Sequence, residues 1–128
     1  PERILGELLM SVFSTNDYSR SAQPARKLFS CLIPTTAKVI YTCPPGKSVE
    51  IKAIAFVNIH TGSENVTLHH LVPNDTATNC NTLYYQLSLS SKTTVIDDTT
   101  KYMTAGDTLV ALASATDRIA ITVYGVER

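Results

Sequence analysis

Three histidines, three cysteines and one pair of adjacent carboxylates are the residues of this 128-residue chain whose types could support chemistry. His69 and His70 are neighbours in a segment that reads as a strand, where successive side chains point to opposite faces, so the two cannot serve one metal. His60 and His69 flank a short connection and could approach each other across a hairpin. A cupin-type site needs two histidines two residues apart plus a carboxylate; that spacing is absent, and ordinary strand histidines are the simpler reading. Asp97 and Asp98 would also diverge on a strand, which makes them a poor acid–base couple; a solvated turn is favoured over a calcium loop. Ser63 and Ser114 sit in plain turns with no Gly-x-Ser-x-Gly around them. Cys80 could lie near His69, but nothing local activates its thiol. Pro44-Pro45-Gly46-Lys47 lacks the glycine spacing of a phosphate loop. The reading is a chain with no catalytic residues, no metal and no cofactor.

Tyr84 and Tyr85 offer a binding surface instead. Leu83, Tyr85, Leu87 and Leu89 form an alternating apolar set, which sends Tyr85 inward and Tyr84 outward. An outward Tyr84 would suit a subunit contact or a sugar platform, so a carbohydrate-binding module is the alternative from another class.

The elements that position these residues read as β-structure. Pro45 presets φ for a turn, and Gly46 can take the positive φ that a type II turn needs next. The strand that follows, Ser48 to His60, alternates: Val49, Ile51, Ala53, Ala55, Val57 and Ile59 are expected on one face. Ile54 and Phe56 then fall on the other face, where either a second layer covers them or another chain meets them. Leu28 to Ile33 reads as an edge strand closed by Pro34. Further strands are expected at Lys38 to Thr42, Asn65 to Val72 after a hairpin at Thr61 to Glu64, Leu83 to Leu89, Thr93 to Ile96, Thr108 to Ala113 and Arg118 to Val126. Pro73 to Asn81 is a loop, and Gly106 supplies positive φ in the turn from Thr104 to Asp107. About eight short strands with regular turns predict an all-β, jelly-roll-like antiparallel β-sandwich over residues 38–128. Residues 1–37 form an N-terminal arm and linker, in which Ile4, Leu5, Leu8, Leu9 and Phe13 recur at roughly helical spacing.

Composition agrees with a single domain: apolar residues make up 44% and the formal net charge is zero, which disfavours nucleic-acid binding through phosphates. No apolar run is long enough to cross a membrane as a helix. No secretory signal is read, and an odd, widely spaced set of cysteines points to free thiols in a chain made in reducing cytoplasm.

The run Ile40-Tyr41-Thr42-Cys43-Pro44-Pro45-Gly46-Lys47, followed by Ile51, Ile54 and Asn58, resembles a pattern of small tailed-bacteriophage virion proteins. Val66-Thr67-Leu68, Thr104 to Leu109 and Ile121 to Glu127 extend the resemblance, which spans Ile40 to Glu127. It implies a virion structural protein, a capsid decoration or cement protein first and a tail or fibre component second. It also implies a homo-oligomer, such as a trimer, in contact with other virion subunits. The expected contact residues are Ile4, Leu5, Leu8, Leu9, Phe13, Ile54, Phe56 and Tyr84, with Pro45, Gly46 and Gly106 as turn formers.

Overall fold

The turn after the second strand shows how local chemistry starts the fold. Lys47 N–H donates to Pro44 O at 3.2 Å, and Gly46 takes φ 72°, the geometry in which a residue with a Cβ is disfavoured. In the computed structural model, which describes residues 24–128, this turn joins two strands that lie in different sheets.

The described residues form nine strands: β1 (Arg26–Leu32), β2 (Lys38–Thr42), β3 (Ser48–Asn58), β4 (Glu64–Leu71), β5 (Thr82–Leu89), β6 (Thr94–Asp97), β7 (Lys101–Thr104), β8 (Thr108–Ala113) and β9 (Ile119–Glu127). A short 3₁₀ turn at Asn79–Asn81 precedes β5. The first sheet runs β1-β9-β3, with β6 and β7 side by side along the far edge of β3. The second runs β2-β8-β4-β5. All pairings are antiparallel. The chain crosses repeatedly between the two layers, which is the jelly-roll arrangement of a β-sandwich.

Four local expectations are corrected by the register. The Thr61 to Glu64 connection does not close a hairpin, because β3 and β4 belong to different sheets. Lys101–Thr104 is a strand the sequence did not announce. The edge strand expected at Leu28 to Ile33 is present but starts two residues earlier, pairing with β9 from Arg26 onward. The stripe expected on β3 is interrupted. Ala53 faces Tyr124 while Ile51 faces the next residue, Gly125, which leaves Lys52 as an extra residue in β3. Such a bulge reverses the faces beyond it. Val49 and Ile51 point inward before it, and Ile54 and Phe56 point inward after it, all buried. Ile54 and Phe56 are thus core residues rather than contacts for a second chain.

The core lies between the sheets. Ile51, Ile54, Phe56, Ile119, Ile121 and Val123 of the first sheet meet Val66, Leu68, Leu89, Leu109 and Ala111 of the second. Burying each large aliphatic or aromatic side chain contributes roughly 1.5–3 kcal/mol. At one side Phe29 stacks on Tyr41 with ring centroids 5.1 Å apart. There Tyr41 Oη donates to Glu127 Oε2 at 2.5 Å, and burial together with this carboxylate raises the phenol well above its ordinary range. At the other side Phe56 meets Tyr84 edge-on at 5.5 Å. Asn58, fully buried at the end of β3, donates to the carbonyls of Gly62, Leu89 and Ser90 and accepts from His60 N–H, so it ties the connections of both sheets together.

Candidate functional site

β9 and β3 place their inward residues in the core, so the residues between them must face outward. Two adjacent rows cross the outer face of the first sheet. One runs Leu32, Ala120, Val57, Thr94 and the other Ser30, Thr122, Ala55, Ile96. Neither row holds a charged side chain. A third row sets Lys27 and Ala53 against Tyr124. Ile96 is 64% exposed, Leu32 44% and Tyr124 40%, and Tyr102 beside them reaches 69%. Charges gather at the margin: Glu50 is bound by Lys52 at 2.8 Å and by Arg128 at 2.7 Å, and these hydrogen bonds hold its carboxyl below the usual range. The result is an uncharged surface in which Ala55, Ala120 and Val57 alternate with the hydroxyls of Ser30, Thr94 and Thr122, with Leu32 and Ile96 at its sides.

The residues singled out for chemistry are dispersed. His60 Nδ1 meets Glu64 Oε2 at 2.8 Å, whereas His69 Nδ1 meets Asn81 Oδ1 at 2.9 Å; the two histidines do not share a site. His70 Nε2 meets Asp107 Oδ2 at 2.9 Å. Burial would raise the Asp107 carboxyl, but the bonds from His70 and from Thr104 N–H outweigh it and lower it. Asp97 is not an open calcium ligand: Lys101 Nζ lies 2.6 Å from its Oδ2, and Thr99 donates twice to its Oδ1. Against the upward pull of burial these partners push it down to about 2. Among the described residues no three His, Cys, Asp or Glu side chains stand where they could hold a metal ion.

Cys31, Cys43 and Cys80 are free. Burial pushes the Cys31 and Cys43 thiols up, and the Cys43 thiol donates to Lys47 O at 3.5 Å. Neither is activated as a nucleophile.

Tyr84 and Tyr85 exchange the places expected of them. Leu68 pairs with Tyr84 and Val66 with Leu87, so β5 carries an extra residue across Thr67. Tyr84 turns inward against Phe56, with Lys101 Nζ 5.7 Å from its ring centre, and its hydroxyl is buried without a partner. Tyr84 is therefore neither a surface contact nor a sugar platform. Ile4, Leu5, Leu8, Leu9 and Phe13 lie outside the described residues. Pro45 and Gly46 form the first turn. Gly106 takes φ 89° in the second, where Asp107 N–H donates to Thr104 O at 2.9 Å. The bulge at Lys52 turns Ala55 and Val57 outward against the alternation expected for them. Gly125, a lone glycine in the facing strand, was the available signal for it.

No family model and no curated protein matches the chain. A solved structure described by the words "Bacillus endospore appendages form a novel family of disulfide-linked pili" is similar over 81% of this chain and 85% of its own, with 16% identity and a TM-score of 0.49. The expectation of a tailed-phage virion protein, with its capsid role and virion localisation, is corrected by this match, which is to a spore appendage and not to a virion protein. At this identity and overlap the match supplies no function to the present chain.

Proposed function

We propose that this chain is a non-enzymatic structural subunit that assembles with copies of itself through the outer face of its first sheet. The observation that carries this is the pair of uncharged rows around Ala55 and Ala120, flanked by the exposed Ile96, Leu32 and Tyr124. Exposed apolar area of this kind is characteristic of an interaction surface. Small residues at the centre let a second sheet approach to about 10 Å, the spacing of packed sheets. Large residues on both sides suit a two-fold or a staggered arrangement, in which they fill the space over the alanines of the next copy. The dispersal of the reactive side chains, among which Cys31 and Cys43 are partly or fully buried and Cys80 is exposed, favours a structural role over a catalytic one. The leading apolar residues Ile4, Leu5, Leu8, Leu9 and Phe13 are proposed as a further contact with a neighbouring copy.

Light scattering coupled to size exclusion tests the reading on the full chain. The wild type is expected to gain mass as its concentration rises through the micromolar range, and Ala55→Arg to stay monomeric with an unchanged unfolding midpoint. Removal of residues 1–23 is expected to weaken assembly further. A wild-type chain that stays monomeric throughout, or an Ala55→Arg variant that assembles normally, would overturn the proposal.

A further inference from the structure

The opposite side of the sandwich carries a different kind of surface. On β5, Gln86 takes φ 50°, an uncommon region for a residue with a Cβ. It is held there by the bond from its N–H to Thr67 Oγ1 at 3.0 Å. This irregularity leaves Tyr85 and Gln86, two consecutive residues, both exposed. Between them and the connection that leads into β5 lies a hollow of about 340 Å³, at the lower end of the range of small-molecule sites. Thr67, His69 and Leu112 line it together with Tyr85, Gln86 and Asn79.

The connection fixes the chemistry of His69. Asn81 Oδ1 accepts from Thr78 N–H at 3.0 Å, and Asn81 Nδ2 donates to Thr76 O at 2.8 Å. These backbone partners determine which end of the amide is the oxygen. That oxygen faces His69 Nδ1 at 2.9 Å, so Nδ1 carries the proton. In the neutral imidazole Nε2 is then the lone-pair acceptor, and it makes no hydrogen bond with any described residue. His69 as a residue is 6% exposed, yet Nε2 is not among the buried atoms left without a partner; it therefore keeps contact with solvent and can be reached by a hydroxyl donor.

No charged side chain lines the hollow, which argues against phosphate, carboxylate or ammonium ligands. What it offers is an exposed aromatic ring, a solvent-accessible imidazole nitrogen, and the amides of Gln86 and Asn79, which can both donate and accept. A pyranose presents the complement, an apolar C–H face and a rim of hydroxyls. We propose that the hollow binds a neutral saccharide residue, with Tyr85 as platform, His69 Nε2 accepting from a sugar hydroxyl, and Gln86 at the rim. The site lies across the sandwich from the face assigned to self-assembly, so either reading can fail alone.

Saturation-transfer difference NMR on the full chain provides the test, because it reads the sugar and tolerates large assemblies. The probes are glucose, galactose, N-acetylglucosamine, cellobiose and chitobiose, with glucuronic acid as the charged control. At least one neutral sugar is expected to receive saturation in a dose-dependent manner. Tyr85→Ala and His69→Ala are expected to weaken it by about tenfold or more. Tyr102→Ala, which removes an equally exposed tyrosine from the other face, should leave it unchanged, as will an intact near-ultraviolet spectrum confirm for each variant's fold. No transfer to any neutral sugar, transfer that survives Tyr85→Ala, or equal transfer to glucuronic acid would overturn the proposal.

Discussion

On the first sheet, outward residues of β9 and β3 stand opposite one another in unbroken rows through Ala55 and Val57, because its two register shifts, between Val123 and Tyr124 against β1 and between Tyr124 and Gly125 against β3, lie beyond those rows. On the second, β5 slips twice against β4, at Thr67 and again between Leu68 and His69. The two sheets share one core, yet their outer surfaces diverge. Regular pairing spaces side chains evenly and leaves a plane, which suits burial against another plane. Irregular pairing turns neighbouring side chains the same way and leaves a hollow. The difference between a surface that can stack and one that can hold a small molecule is therefore made in the backbone, before any side chain is chosen.

The sharpest way to break this contrast is to disturb the first sheet where its own bulge is confined. At Gly125 an added Cβ would stand 2.4 Å from Glu50 O and 3.1 Å from Ile51 Cα. The obstacle is backbone, which cannot swing aside. Gly125→Ala is expected to destabilise the chain by about 3 kcal/mol, the upper part of the range for overpacking. The urea unfolding midpoint measures it. A loss under about 1 kcal/mol would show that β9 can slide past β3 and that the flat rows are less firmly set than the register implies.

The sandwich class was legible in the sequence because turn chemistry is local. Pro45-Gly46 and Gly106 announce their turns without help from the rest of the chain, and β9 keeps Ile119, Ile121 and Val123 on one side as alternation demands. The faces of β3 and β5 were not legible. One extra residue, at Lys52 in β3 or between Tyr84 and Leu87 in β5, reverses the faces on one side of it relative to the other, and the cause lies in pairing with another strand. That is why Ile54, Phe56 and Tyr84 pointed outward on paper and lie inward in the fold. The Lys101–Thr104 strand escaped notice because it is short and pairs only with the opening of β3.

Acid offers a second contrast, since each sheet has a carboxylate lock at one end. Asp97 closes the turn between β6 and β7, and Asp107 closes the one between β7 and β8. Both carboxyls titrate lower in the folded chain than their ordinary value of 3.8. A depressed folded value means that the unfolded chain takes up protons first. The stabilisation is thus complete above about pH 5 and is lost as the pH falls toward the folded values, about 2 for Asp97. The urea midpoint of the wild type should decline over that window, and Asp97→Asn should lower the midpoint at neutral pH while flattening the decline. An equally steep decline in the variant would assign the acid sensitivity to the other depressed carboxyls, Asp107, Glu50 and Glu64.

The smallest effect sharpens the comparison most, because it separates stability from use. Gln86 bears the strain of a left-handed conformation, which disfavours a side chain by roughly 1–2 kcal/mol. Glycine tolerates the conformation but adds freedom to the unfolded chain, at a cost of about 0.5–1 kcal/mol. Gln86→Gly is therefore expected to raise stability by roughly 0.5 kcal/mol while removing an amide from the rim of the hollow and reducing saturation transfer to the sugar. Strain retained where the fold would be better off without it points to a use for the side chain that bears it. A variant that loses stability would instead make Gln86 a structural residue. The irregular face would then be a consequence of packing, with no reason to differ from the flat one.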